Sequence, residues 1–457
     1  MSGNIASMQK ENQSVGDIID SRPMSGFQIR TIALCGLVLF SDGFDAQTIG
    51  FLAPSIADST GIPANTFGPI FSASLVGLMI AAMAAGPIAD RWGRKWPIIF
   101  STITLAVFSI LTAHATSFNE LLVYRFLTGL GLGGALPNVV ALSSEYVPKR
   151  LMAVLVAALF CGLPLGGFIC GMLSSAMTPV WGWQSVFYVG GILPLALSLL
   201  LIVLLPESVQ FLSQSKADPR KIENLLKPIA PVLSEQGTQI SFPAPDKESK
   251  GVSVKYLFKD GRAAGTILLW IPNFMNLLLM YVIVNWLPIL LRASGMSVSD
   301  GVTATSFYSL GGIAGTFAEG FLIKLGGPFR ILLAQFGFCG LFIVLMALAA
   351  DSWSAVIVLA FLLGFLVIGA QAGLNVLAAH FYPTFVRSTG VGWALGIGRI
   401  GSIVGPLLAG DLLSNEWQPW QILLAGAIPA FLAMGAILLG RLAHHGPTPY
   451  GEISKSR

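Results

Sequence analysis

The sequence predicts an all-α membrane protein: twelve transmembrane helices in two six-helix bundles, with both termini cytosolic. Three observations predict it. Of the 457 residues, 54% are hydrophobic and only 11% charged, whereas a soluble domain carries about 25% charge. Twelve apolar runs each approach the roughly twenty residues that span a bilayer. Basic residues gather on one side of the resulting threading, as the positive-inside rule requires.

The elements follow in chain order. Residues 1–27 are polar, contain Lys10 and Arg22 but no apolar signal core, and read as a cytosolic tail. Residues 28–206 form a first bundle, with helices expected over 28–51, 66–89, 96–115, 119–142, 151–176 and 183–205. Residues 207–262 hold several prolines together with Lys216, Lys247, Lys250, Lys255 and Lys259, the composition of a solvated cytosolic linker. Residues 263–441 form the second bundle, over 263–291, 302–325, 328–350, 353–378, 386–411 and 418–440, and residues 442–457 a second cytosolic tail. With both termini inside, every Lys and Arg lies in a cytosolic segment or at a cytosol-facing helix end, except Arg292 outside and Arg125 and Arg399 within helices. The halves echo each other. Gly86 to Lys95 after the second helix corresponds to Gly320 to Gly327 after the eighth, and Tyr146-Val147-Pro148 to Tyr382-Pro383-Thr384. Such parallel repeats place a transporter's site at the midplane between the halves.

Charges inside apolar helices carry the chemistry. Asp42 and Asp45 lie in the first helix, three apart and so on one face. An acid near the bilayer centre costs about 2.5–3.5 kcal/mol, and mutual repulsion with desolvation favours keeping one of the two protonated, the property of a proton carrier. Arg125, in the fourth helix within Arg125-Phe126-Leu127-Thr128-Gly129-Leu130-Gly131, needs a counter-charge, and either Asp42 or Asp45 is available. The glycines there admit close approach of a neighbouring helix. Arg399 is near the centre of the eleventh helix, where the second half has no acid: Glu319 is close to the cytosolic end and Asp411 to the outer end. It pairs across the halves with Asp42 or Asp45, or it binds a substrate carboxylate through its planar fork. Gln371 and Asn375, four apart in the tenth helix, line the same cavity or bridge helices. Phe44, Trp286 and Trp393 are candidates to stack on an aromatic ring, with packing as the alternative.

Asp90, Arg91, Arg94 and Lys95 are at a cytosolic turn, where they either serve topology or latch one state of rocking bundles by pairing with Glu145, Glu207 or Arg387 at neighbouring helix ends. Nothing suggests an enzyme. The four histidines and four cysteines have no ligand spacing, and no phosphate-binding loop with its lysine appears. No cofactor, metal or nucleic-acid partner is expected, and the chain is expected to act as a monomer in the bilayer.

The stretch Gly86-x-x-x-Asp90-Arg91-x-Gly93-Arg94-Lys95 resembles a loop signature of the major facilitator superfamily. Arg125-x-x-x-Gly129-x-Gly131 and Pro206-Glu207-Ser208 are similar to two further motifs of it. Within the superfamily, Asp42-Gly43-Phe44-Asp45, Asn285-Trp286-Leu287-Pro288 and Arg387-Ser388-Thr389-Gly390 through Gly398-Arg399-x-Gly401-Ser402 resemble the aromatic acid:proton symporter family. The resemblance implies proton-driven uptake of benzoate-like or hydroxybenzoate-like acids through a bacterial inner membrane. It assigns function to Asp42, Asp45, Arg125, Glu145, Arg387 and Arg399. One departure stands out: the second-half copy of the loop has Lys324 in place of Asp90 and Pro328 in place of Arg94, which puts a latch there in doubt. The rival readings are an efflux antiporter, an importer of another organic anion such as a dicarboxylate, and a membrane chemoreceptor.

Overall fold

The computed structural model describes residues 13–215, 219–229, 240–241, 254–349 and 352–443. Lys10, Lys216, Lys247, Lys250 and the tail from residue 444 lie outside the described residues.

Among the described residues there are twelve long helices, the last of them in two pieces. The first half comprises α1 (Gly26–Thr60), α2 (Phe67–Trp92), α3 (Lys95–Thr112), α4 (Phe118–Tyr146), α5 (Lys149–Trp181) and α6 (Gln184–Leu204). The second comprises α7 (Ala263–Ala293), α8 (Val298–Gly326), α9 (Pro328–Leu348), α10 (Trp353–Phe381), α11 (Arg387–Ser414) and α12, in two pieces, Pro419–Ala425 and Ala427–Ala443. Polar caps set several starts: Ser25 with Gln28 and Ser117 with Glu120 form capping boxes, and Ser297 caps α8. Among the described residues eleven spans are also apolar enough to cross a membrane by themselves. The other long helix, α8, is diluted by Thr303, Thr305, Ser306, Ser309, Thr316 and Glu319.

The largest difference from expectation is α1, which continues beyond residue 51, through Pro54, to Thr60 and ends on Gly61 at φ 74°. A proline inside a membrane helix is tolerated because its neighbours satisfy the freed carbonyl. Asp45 is therefore near the middle of α1 rather than two turns from its end.

Within each half the packing is parallel: α2 lies against α4 and α1 against α5, as α8 lies against α10 and α7 against α11. Gly129 of α4 meets the backbone of Ser74, and Gly364 of α10 meets that of Tyr308, so close that a side chain at either glycine would displace the partner helix. The halves meet where α5 packs on α8, α2 on α11 and α1 on α7. The polar contacts joining them lie toward the side opposite the termini. Ser309 donates to Gln47 at 2.8 Å, Ser175 meets Ser299 at 2.5 Å, and Ser72 donates to the carbonyl of Ile403 at 2.8 Å. Nearer the termini, Met83 and Val154 of the first half and Phe317 and Phe321 of the second are exposed.

Part of the expected solvated linker is packed. Ile222, Leu226 and Ile229 are buried with Ile18 and Ile19 of the N-terminal segment under the first half. There Asp20 accepts from the backbone N–H of Lys149 at 2.7 Å and pairs with its Nζ at 3.1 Å.

Candidate functional site

The first half closes its intramembrane charges on each other. Nη1 of Arg125, on α4, lies 3.0 Å from Oδ2 of Asp45 on α1, and both side chains are 0% exposed. Nη2 also donates to the Asp45 carbonyl at 3.3 Å. The partner that the sequence leaves open between Asp42 and Asp45 is thus Asp45. Asp42, a turn earlier, is 4% exposed and forms no ion pair among the described residues. A buried pair of this kind holds only as a pair, because removing one partner leaves the other charge desolvated and uncompensated.

The second half leaves its arginine open. Arg399, half-buried in the middle of α11, donates from Nη1 to the Tyr281 hydroxyl of α7 at 3.4 Å. Among the described residues it forms no ion pair, so the alternative of pairing with Asp42 or Asp45 across the halves is not realised in this conformation. Gln371 accepts from Asn276 of α7 at 3.0 Å, leaving its own Nε2 buried without a partner. Asn375, a turn further along α10, is half-buried.

The aromatic candidates fall elsewhere. Phe44, expected as a stacking surface, is buried inside the first half beside Gly190 of α6. Trp286 is fully buried, donating to the Pro406 carbonyl at 3.1 Å and meeting Phe71 edge-on. Trp393 stacks on Trp270 with centroids 5.9 Å apart. It precedes Arg399 by about 9 Å along the helix axis, toward the termini. A cavity of about 180 Å³ between α1, α5 and α8, lined by Phe51, Ser55, Ser174, Thr178 and Ser299, opens on the side opposite the termini, away from Arg399.

On the termini side, the expected latch residues form a brace within the first half. Arg94 pairs with Glu145 at the end of α4. Glu145 also accepts from the Ser208 hydroxyl at 2.8 Å. Glu207, just after α6, accepts from the backbone N–H groups of Arg94 and Lys95 at 2.7 and 3.1 Å. Gly93, at φ 80°, makes room for that carboxylate, where any side chain would collide with it. Tyr146 donates to the Glu207 carbonyl at 2.6 Å, and Lys95 Nζ to that of Ile202 at 2.8 Å. The brace joins the α2–α3 turn, the end of α4 and the start of the linker. Asp90 and Arg91 are exposed outside it, and Arg387, at the start of α11, donates to the Tyr382 carbonyl at 3.4 Å.

Sequence reasoning missed Tyr281, Asn276, Gln47 and Ser309. Gln47 had a readable signal, an amide in an apolar helix two residues past Asp45. Tyr281 had none beyond its position at mid-helix.

Residues 35–406 match the Major Facilitator Superfamily. The chain is 38% identical over 451 residues to the 4-hydroxybenzoate transporter PcaK of Pseudomonas putida, an alignment covering 96% of this chain and 100% of that one. It is also 38% identical over 436 residues to the gallate transporter of Pseudomonas putida, covering 95% of this chain and 96% of the relative. Among solved structures, the xylose transporter XylE from E. coli superimposes with a TM-score of 0.72 at 15% identity, over 93% of this chain and 100% of that one. Twelve helices in two parallel halves, a paired Asp45–Arg125 and these relatives converge: the chain belongs to the major facilitator superfamily and, within it, to the aromatic acid:proton symporter family.

Proposed function

We propose that the chain imports a small aromatic carboxylate of the benzoate or hydroxybenzoate type together with protons. It does so by alternating access, as a monomer in a bacterial inner membrane with both termini in the cytosol. The observation that carries this is the contrast between two arginines. Arg125 holds its carboxylate at 3.0 Å, while Arg399, half-buried at mid-helix, donates to the Tyr281 hydroxyl and has no carboxylate partner among the described residues. A guanidinium at that depth lacks the counter-charge it needs, and a substrate carboxylate supplies it through the two-bonded fork. The amide of Gln371 and the hydroxyl of Tyr281 suit the ring hydroxyls of such acids, and the two relatives described above are named for 4-hydroxybenzoate and gallate. One arginine without a carboxylate partner inside the helices, among the described residues, favours a monocarboxylate over a dicarboxylate.

In this reading Asp45, and Asp42 beside it, form the proton site. A proton on Asp45 removes the charge that holds Arg125, loosening α1 from α4. The cytosolic placement of the termini rests on the distribution of Lys and Arg, and the contacts on the opposite side then make this conformation inward-facing. Uptake of labelled 4-hydroxybenzoate into vesicles with an imposed pH gradient tests the proposal. Accumulation that collapses with a protonophore is the expected result, and uptake indifferent to it rules out proton coupling.

A further inference from the structure

One carboxyl in the second half has no role in the scheme above. Glu319, on α8 about two turns from its termini-side end, is 1% exposed rather than at a wet helix end. Its Oε2 accepts from Nε2 of Gln335, on α9, at 2.6 Å, and Gly373 of α10 leaves the space its Oε1 fills. Oε1 of Glu319 is buried without a hydrogen-bond partner, and so is Oε1 of Gln335.

The charges around it offer no compensation. Among the described residues no Lys, Arg or His forms an ion pair with Glu319. Lys324 on its own helix, Arg330 on α9 and His380 on α10 are exposed at the helix ends. Asp300 on α8 and Arg292 on α7 are at the opposite end of the bundle; on α5 and α1, which also pack on α8, Lys149 and Arg150 are exposed at the helix start and Asp42 and Asp45 are themselves acids. An ionised carboxylate so placed, with one neutral donor, carries an uncompensated desolvation penalty of several kcal/mol. A neutral acid facing a primary amide does not. The amide N–H donates to one acid oxygen, and the acid O–H donates to the amide oxygen, closing a two-bonded ring. The first bond is in place. Both orphan oxygens lack a donor, and a proton on Glu319 brings one to the pair.

We propose that Glu319 is a second proton-binding site, in the second half of the transporter, occupied in this conformation and built by Gln335. The inference rests on the reading of the chain as proton-coupled. The proton binds Oε1 from water and returns to water when α8 and α9 rearrange, so no other reactant is needed.

Infrared spectroscopy of the full chain in proteoliposomes tests occupancy. A protonated-carboxyl stretching band is expected that E319Q removes and that persists from about pH 5 to about pH 8, well above an exposed carboxylate. Q335M keeps the acid but removes its partner, and is expected to shift that band upward. If E319Q removes no band, or Q335M leaves the band in place, the proposal fails. Transport tests the cycling of the proton. In E319Q the ratio of gradient-driven accumulation to substrate exchange is expected to fall about tenfold, the effect of about one pKa unit of lost coupling. An unchanged ratio makes Glu319 a static packing acid and overturns the proposal. D45N run alongside separates the two readings: a D45N protein that still accumulates substrate on a pH gradient counts against the Asp45 site and leaves the Glu319 results standing.

Discussion

The two halves are built on one plan and treat their intramembrane arginine in opposite ways. Arg125 of α4 is fully buried and held by Asp45 from inside the same half. Arg399 of α11 is half-buried, donates to the Tyr281 hydroxyl and forms no ion pair among the described residues. The first half thus contains both members of its ion pair, while the second contains one member and leaves the other to be supplied. A repeat that duplicates helices need not duplicate chemistry. In the function proposed above, Asp45 of the closed pair takes a proton and the open Arg399 takes the substrate anion.

Breaking the paired side has the largest expected effect. Asp45→Ala strands a buried guanidinium and is expected to lower stability by about 3–5 kcal/mol, seen as a lower thermal midpoint in detergent together with lost transport. The double change Asp45→Ala with Arg125→Leu removes the stranded charge and recovers much of the midpoint, though not transport. A single variant as stable as the parent would show that the pair is not closed as described.

The open side is expected to respond in the reverse manner. Arg399→Lys keeps the charge and loses the fork, so apparent affinity for 4-hydroxybenzoate falls by about 2 kcal/mol, or about thirtyfold. The thermal midpoint barely moves, because among the described residues no carboxylate pairs with Arg399. Unchanged affinity would remove the distinction between the halves.

The outline of this division was legible in the sequence, because a charge in an apolar run stands out whatever surrounds it. Asp42, Asp45, Arg125 and Arg399 were visible for that reason. Which aspartate holds Arg125 was not, since both occupy one face and the choice depends on how α1 is rotated against α4. α1 runs nine residues beyond the end expected at 51 and through Pro54, because in a membrane a proline does not have to end a helix. Phe44 and Trp393 show a further limit: an aromatic ring in an apolar helix carries no mark of whether it faces a cavity or a neighbour. The Arg94–Glu145–Glu207 residues were recognisable as a charge cluster. That they brace one half, rather than bridging two, depends on the placement of the segment after α6, which no local pattern encodes.

That brace gives the third contrast, since the second half has Lys324 and Pro328 at the matching turn. Glu207→Ala removes the acceptor of three backbone N–H groups, those of Arg94, Lys95 and Ser208, at about 1 kcal/mol each. The expected result is a thermal midpoint lowered by a few degrees, with transport reduced less than in either arginine variant. Lys324→Ala is expected to leave the midpoint unchanged, and an equal loss in both would mean that the halves are braced alike.

The seam between the halves gives a smaller effect. Ser309→Ala removes the donor to Gln47, a neutral bond of about 1 kcal/mol, and shifts the population about fivefold toward opening on the side opposite the termini. Labelling of S299C by a membrane-impermeant maleimide reads this directly, because all four native cysteines are buried. Faster labelling in the Ser309→Ala background is expected, and an unchanged rate would mean that the bond does not help to hold the seam.

The smallest effect belongs to the N-terminal segment, which docks under the first half. The Asp20 carboxyl is held below its ordinary value of 3.8, first by the hydrogen bond from the backbone N–H of Lys149 and then by that residue's side chain. Because the folded value is the lower one, the stabilisation is present above the ordinary value and is lost as pH falls through the folded value. A spin label on S21C is therefore expected to stay immobile from about pH 7 to about pH 5 and to loosen only below about pH 4. In an Asp20→Asn background the label is expected to be mobile already at neutral pH, and high salt should loosen the parent toward it, since the Lys149 side chain is exposed. Mobility that is the same in both backgrounds at neutral pH would mean that the buried Ile18 and Ile19 hold the segment without the charge. Docking of the first half's underside would then be an apolar contact that pH does not reach.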